Sequence, residues 1–398
     1  MLFRSAGASF SNVVAIGDEA GKSLTTASDV VAVGRRAFNS INTQAGGIAL
    51  GFEAGRYAYG INNTYLGFKS GLGSNTATNN TATNNVGVGF ESLKAVTTGG
   101  TNVAIGTLAG SGITTGADNV AIGANTSVGS PTGSRNTFIG SGAGNLHDGN
   151  DAIGIGVFAL NNDDGGSTSS NLAIGNYVGE NLQNSTGGNV MIGHKVMRAA
   201  QGGYDNTVIG YEAGLVMTDG HSNSILGHEA GKAMTTANEL IAVGTRAINS
   251  INTQSSGVAV GHEAGRYAYG VNNTYVGYKS GFGSTTATNN TATSNAGLGY
   301  ESLKDKRFDV VINATAASLQ GELPPLPDTL LNDNASCYDM MYAAKPTPFM
   351  NWATEHKAVK VLDGLGMLVE QAAEAFTLWR GGLPETKPVI DSIRASLA

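Results

Sequence analysis

Several groups of residues in this 398-residue chain have the types and spacing that chemistry requires. His228-Glu229 and His262-Glu263 set an imidazole beside a carboxylate twice, and such a row could bind a metal. The same place after a repeated glycine holds Asp18, Phe52 and Tyr211 elsewhere, which reads as a solvent-facing turn, so no metal is expected. Asn161-Asn162-Asp163-Asp164-Gly165-Gly166 gathers the oxygen ligands calcium takes, but its spacing fits no standard calcium loop and a plain loop is expected. Arg56-Tyr57-Ala58-Tyr59-Gly60 and Arg266-Tyr267-Ala268-Tyr269-Gly270 offer paired tyrosines. At alternating positions of a strand, Tyr57 with Tyr59 and Tyr267 with Tyr269 would face outward, where rings stack on sugars; they are candidate receptor contacts, with packing between coils or chains as the simpler alternative. No Ser/His/Asp set and no paired carboxylates can be placed in residues 1–304, so the sequence predicts no catalytic site there.

A repeat sets the secondary structure that carries these residues. The phrase Asn-x-x-apolar-Gly-x-x-Ala-Gly recurs on seventeen glycines, from Gly17 to Gly299, spaced 16 to 22 residues apart and most often 17. Residues 17–94 return as residues 227–304, identical at 55 of 78 positions, as a segmental duplication would leave them. A 17-residue unit is too short for a helix pair. Its apolar runs, such as Val103-Ala104-Ile105 and Thr137-Phe138-Ile139, are strand-like. The glycine that follows supplies a corner. One unit cannot bury its apolar side chains alone, but stacked units can. The predicted fold is mainly β: a β-solenoid or β-roll of about 17 short coils, a rod on the order of 80 Å long. Ala20, Ala54, Ala109, Ala143, Ala213, Ala230 and Ala264, three residues after their glycines, imply a narrow interior.

Composition divides the chain. All but five of its 58 glycines precede residue 305, whereas seven of its eight prolines, both tryptophans and the single Cys337 follow it. The expected domains are therefore 1–304 and 305–398. One cysteine excludes an internal disulfide framework and a thiolate metal cluster. A net charge of −7 with no basic stripe argues against nucleic acid. No stretch is apolar enough to span a bilayer, and the first residues lack the apolar core of a secretion signal.

Asn102–Gly110 and Asn206–Gly214 resemble the head repeats of trimeric autotransporter adhesins and, more closely, the similar repeats of bacteriophage tail fibres. The resemblance covers residues 10–304. It implies a left-handed, trimeric β-roll that serves as a structural or receptor-binding fibre in a virion or on a cell surface, with a cell-surface glycan or protein as partner. With no secretion signal, coiled-coil stalk or membrane anchor read in the sequence, the phage-type fibre is the favoured form.

Residues 305–398 change character. Phe308–Ile312, Ser336–Met341 and Val359–Leu362 read as strands, Gly364–Trp379 as a helix stopped at Gly381-Gly382, and Pro388–Leu397 as another. That order predicts part of an α/β, Rossmann-like domain. Asn313-Ala314-Thr315, Tyr338-Asp339-Met340-Met341-Tyr342 with Thr347-Pro348-Phe349, and Asp363–Ala372 resemble the C-terminal part of shikimate dehydrogenase. The resemblance implies that Asn313, Ala314, Thr315, Gly364 and Met367 once lay along an NADP cofactor, and that Tyr342 and Gln371 helped bind shikimate. The family's substrate domain, with its catalytic Lys and Asp, and its glycine-rich pyrophosphate turn are not found in the sequence. The tail is therefore expected to be non-catalytic, with the NADP site vestigial. The alternative is a cytoplasmic NADP-dependent shikimate dehydrogenase homologue that keeps only the C-terminal lobe.

Overall fold

The computed structural model describes residues 9–397 apart from 76–79, 128, 148, 164–169, 184–186, 251–255, 269, 284–293, 301–307, 315–320, 324, 325, 327 and 329. The chain separates into two compact units, residues 1–302 and 303–398.

The first unit is a parallel β-solenoid. Among the described residues a strand precedes each of the seventeen repeat glycines, from Ser9–Ile16 to Ala296–Leu298, and a further strand, Thr43–Ala45, pairs with Thr26–Ser28. Each strand bonds in register to its equivalent one coil away: Val103, Ala104 and Ile105 face Val120, Ala121 and Ile122, which face Thr137, Phe138 and Ile139. The glycine column follows from this stacking. Gly106 has φ +137°, and a Cβ on it would sit 2.5 Å from the carbonyl oxygen of Gly123, so no larger residue fits.

Strand alternation fixes what is inside. The middle residue points inward, as Ala104, Ala121, Ala173, Met191, Val208 and Ala242 do, all fully buried. The seven alanines three residues after their glycines are buried too, as the narrow interior predicts. Where a large ring enters the interior, the next coil gives way: Phe138 lies over Gly154, whose added Cβ would meet the ring at 2.8 Å.

The second unit is a small α/β structure. Strands Phe308–Asn313, Leu331–Asp339 and Lys360–Asp363 form a parallel sheet in that order. Helix α1 (Pro348–Glu355) begins at Thr347, whose side chain accepts the Met350 N–H at 3.3 Å, with Pro348 at the first helical position. Helix α2 (Leu365–Arg380) ends at the left-handed Gly381, φ +78°, and α3 (Lys387–Leu397) follows. Leu331, Ala335, Cys337, Phe349, Trp352 and Ala353 form its core. The three expected strands and two later helices are present with shifted ends, the middle strand starting at Leu331 instead of Ser336. Helix α1 is additional to the expected elements.

Candidate functional site

Three side-chain columns run along the solenoid. The first is internal. An asparagine stands four residues before eleven of the seventeen glycines; ten of these are buried, and they are hydrogen-bonded from coil to coil. Asn206 Nδ2 donates to Asn189 Oδ1 at 3.0 Å and to the Gly220 carbonyl at 2.7 Å, while Asn206 Oδ1 accepts the Asn223 N–H at 3.0 Å and Asn223 Nδ2 at 2.9 Å. The same pattern links Asn85, Asn102, Asn119 and Asn136. Between Asn63 and Asn295 the ladder is interrupted at Ala152 and across Leu240 and Gly257; the Ala152 and Leu240 N–H groups still bond to the preceding asparagine. Near the first break the fully buried His147 Nδ1 lies 3.1 Å from Asp163 Oδ2, and Asn171 Nδ2 donates to the same oxygen at 3.3 Å.

The second column is external and apolar. The first and third residues of each strand point away from the interior. Ile16, Leu50, Ile105, Ile139, Ile174 and Leu226 are 36–52% exposed at the third position. Val14, Ile48, Ile153 and Ile241 do the same at the first.

The third column is the residue after each glycine. Phe52, Phe68 and Phe90 stack with ring centroids 5.1 and 5.2 Å apart. His194, Tyr211 and His228 stack at 5.4 and 5.2 Å, and His262, Tyr278 and Tyr300 at 5.1 and 5.2 Å. Arg35 lies over Phe52 and Lys69 beside Phe68. Ring faces are thereby covered along each run, and ring edges face outward.

Ion pairs link the coils one residue further on. Lys232 and Arg246 both reach Glu229, and their hydrogen bonds hold its carboxyl at about 2; Lys22 and Arg36 hold Glu19 at about 2 in the same way.

The candidate tyrosines occupy a turn, not a strand. Tyr57 and Tyr267 pack beneath the guanidinium groups of Arg56 and Arg266. Tyr59 is half-buried and donates its hydroxyl to the Ser40 carbonyl. Tyr269 lies outside the described residues. The alternating outward arrangement fails for Tyr59 because its turn is folded against the next coil: an added Cβ on Gly60 would sit 1.8 Å from the Ala82 carbonyl oxygen. His228 Nδ1 lies 3.9 Å from Glu229 Oε2, and among the described residues no group of three or more His, Cys, Asp or Glu could hold a metal ion. Asp164, Gly165 and Gly166 of the oxygen-rich loop lie outside the described residues.

In the second unit, buried Asp339 organises the strand ends. Its Oδ1 accepts Asn313 Nδ2 at 3.1 Å and the Met341 N–H at 3.1 Å, and its Oδ2 accepts the Thr347 hydroxyl. The Gly364 N–H donates to the Met341 carbonyl at 3.1 Å, which ties the segment before Tyr342 to the start of α2. Met367 is half-buried on α2, while Gln371, Ala314 and Tyr342 are exposed. Thr315 lies outside the described residues. Asp363 receives both Arg394 nitrogens, Nη1 at 2.6 Å and Nη2 at 2.8 Å, which fastens α3 to the third strand.

Comparison with known proteins bears on this second unit. Residues 364–394 match the family described as Shikimate 5'-dehydrogenase C-terminal domain. The chain is 61% identical over 99 residues to Shikimate dehydrogenase (NADP(+)) of Colwellia psychrerythraea, and equally to that of Methylococcus capsulatus; each match covers 25% of this chain and 36% of the relative. The chain thus spans about a third of the length of the curated relatives it matches.

Asn313 Nδ2 donates to Asp339 Oδ1. The space beside Gly364 is taken by the chain itself, since an added Cβ would lie 2.0 Å from the Met340 carbonyl oxygen.

Proposed function

We propose that the solenoid is a self-assembling fibre of structural or receptor-binding type, akin to phage tail fibres and adhesin heads, carrying a non-catalytic, dehydrogenase-derived tail. The observation that carries this reading is the apolar outer face. A column of Ile, Leu or Val lies at the third strand position of all seventeen coils of a thin rod, joined at the first position by an aliphatic residue in most of them, a pattern monomers rarely expose. Taking about 80 Å for the stacked coils and about 10 Å for three strand residues, the face offers roughly 800 Å² per copy, the area a specific interface uses on each side. A homotrimer is the stoichiometry that the repeat resemblance implies. Cell-surface glycans or proteins are the partner class, and a virion or cell-surface fibre is the location. Chemical crosslinking of the full chain tests the assembly: a ladder ending at three chains supports it, and a single-chain band at every protein concentration refutes it.

The second reading, a shikimate dehydrogenase homologue acting in the cytoplasm, is favoured by the 61% identity of the tail. It requires cofactor and substrate to be held in register, for which the chain has residues matching only the C-terminal third of its relatives. NADP reduction with shikimate separates the two readings. No turnover above a buffer blank is expected, and measurable turnover overturns the non-catalytic reading of the tail.

A further inference from the structure

The third-position column that would join copies is Ile, Leu or Val in every coil, so it specifies axial register poorly; the first position varies only between an aliphatic residue and a small Thr or Ser, as at Thr64, Thr137, Thr207, Ser224 and Thr274. A slip of one coil sets Val103 where Val120 was and Ile105 where Ile122 was. The column after the glycines is different. Its rings come in runs, Phe52–Phe68–Phe90, His194–Tyr211–His228 and His262–Tyr278–Tyr300. Small or non-ring residues interrupt them: Thr107, Ala124, Ser141, Val157 and Asn176 between the first two, and Thr245 between the others. Each column residue follows the outer strand residue by two positions, so the rings flank the aliphatic face, and Phe68, Phe90, Tyr211, Tyr278 and Tyr300 are 40–68% exposed.

The internal duplication marks this column again. At the position after the glycine, all five coils of the duplicated block differ: Asp18 against His228, Arg35 against Thr245, Phe52 against His262, Phe68 against Tyr278, Phe90 against Tyr300. One residue further on, all five agree: Glu19, Arg36, Glu53, Lys69 and Glu91 against Glu229, Arg246, Glu263, Lys279 and Glu301. Stacking within the chain accounts for keeping a ring in three of the five coils. It does not account for exchanging C–H edges for imidazole and phenol edges along a whole run while the adjoining ion-pair column stays fixed.

We propose that these ring runs set the axial register between copies of this chain, each run meeting its own kind on a second copy. The proposal rests on the self-assembly reading above. In register, the phenylalanine edges meet one another and the His/Tyr edges meet polar edges. A slip of one coil brings rings against Thr107 and Thr245 and leaves voids at the edge of the interface.

The test is disulfide mapping on the full chain with Cys337→Ser as background. Copies with a single Ile122→Cys are mixed with copies carrying Ile139→Cys, and the ratio of mixed to like-with-like disulfides is read after oxidation; disulfides form only over Cα separations of about 4.4–6.8 Å. The parent should give mainly like-with-like bonds. Changing Phe52, Phe68, Phe90, His262, Tyr278 and Tyr300 to Thr, the residue already present at positions 107 and 245, should leave assembly intact and raise the mixed fraction several-fold. An assembled variant with an unchanged ratio overturns the register role and leaves self-assembly standing. A variant that falls to monomers shows that the rings supply affinity and also overturns the proposal. A parent that is itself monomeric refutes the assembly reading and this one with it. Should the six-fold variant not fold, Phe90→Thr with His262→Thr, which widens two gaps by one coil, carries the same test.

Discussion

Replacing Asn206 by alanine cuts the internal ladder at a coil where every partner is known. Four hydrogen bonds go: Nδ2 to Asn189 Oδ1, Nδ2 to the Gly220 carbonyl, and the two that Oδ1 accepts from Asn223. Two of the groups left behind keep another partner. Asn189 Oδ1 still accepts the Asn206 N–H at 3.1 Å, and Asn223 Nδ2 still donates to the Ala237 carbonyl at 2.7 Å. The Asn223 N–H and the Gly220 carbonyl lose these bonds inside the solenoid. At about 1–3 kcal/mol for each buried group deprived of its partner, the loss is about 2–6 kcal/mol. Leu240 shows that an apolar residue is tolerated where the ladder ends, because its N–H bonds to Asn223 Oδ1 and it has no asparagine above to serve. Asn206→Leu should therefore cost nearly as much as Asn206→Ala, which distinguishes lost hydrogen bonds from lost volume. The assay is urea unfolding followed by circular dichroism, with hydrogen exchange at the Asn223 amide as the local readout. A loss under 1 kcal/mol together with unchanged exchange at Asn223 would refute the ladder as a source of stability.

Other outcomes follow from the same geometry. Gly106→Ala, which drives a Cβ toward the Gly123 carbonyl at a φ an alanine rarely adopts, should lower the unfolding midpoint sharply, while Gly382→Ala, with open space around it, should leave it within error. Glu229 has its pKa depressed to about 2 from 4.5, so its contribution is complete above about pH 4.5 and is lost as pH falls toward 2; Glu229→Gln should flatten the stability-against-pH curve across that window. The Cys337 thiol is buried and its pKa is raised by burial, so a thiol reagent should react with it only when the second unit opens, at a rate that tracks urea concentration. Arg394→Met should free α3 by leaving the Asp363 carboxylate without its bidentate partner, seen as faster exchange in residues 387–397 and a loss of about 1–3 kcal/mol in the second unit.

The repeat was legible because its glycines are placed by a backbone requirement that no other residue meets. The strand register followed, since equivalent residues of a repeat stack on one another. The asparagines were visible in the same phrase, but their role was not. Asparagine before a corner usually marks a solvated turn, and only the fold shows Asn102 and Asn206 sealed inside. The residue after the glycine looked like a solvent-facing turn position for a similar reason: stacking between Phe52 and Phe68 depends on a spacing of coils that the sequence does not state. Tyr59 misled because alternation along a strand was assumed where the chain in fact turns. Helix α1 was overlooked because Pro348–Glu355 is only about two turns long, although Thr347-Pro348 is a capping signal. In the tail, Asn313 and Gly364 were singled out by resemblance, and their contacts with Asp339 and Met340 were not legible in the sequence.

A fibre requires the exposed aliphatic face to be covered by further copies of the chain. Light scattering of the purified full chain measures that directly. It should give three times the chain mass, falling to one chain when Ile105 and Ile139 are both changed to Asp. A parent that scatters as a single chain, with a mass unmoved by those two substitutions, would contradict it.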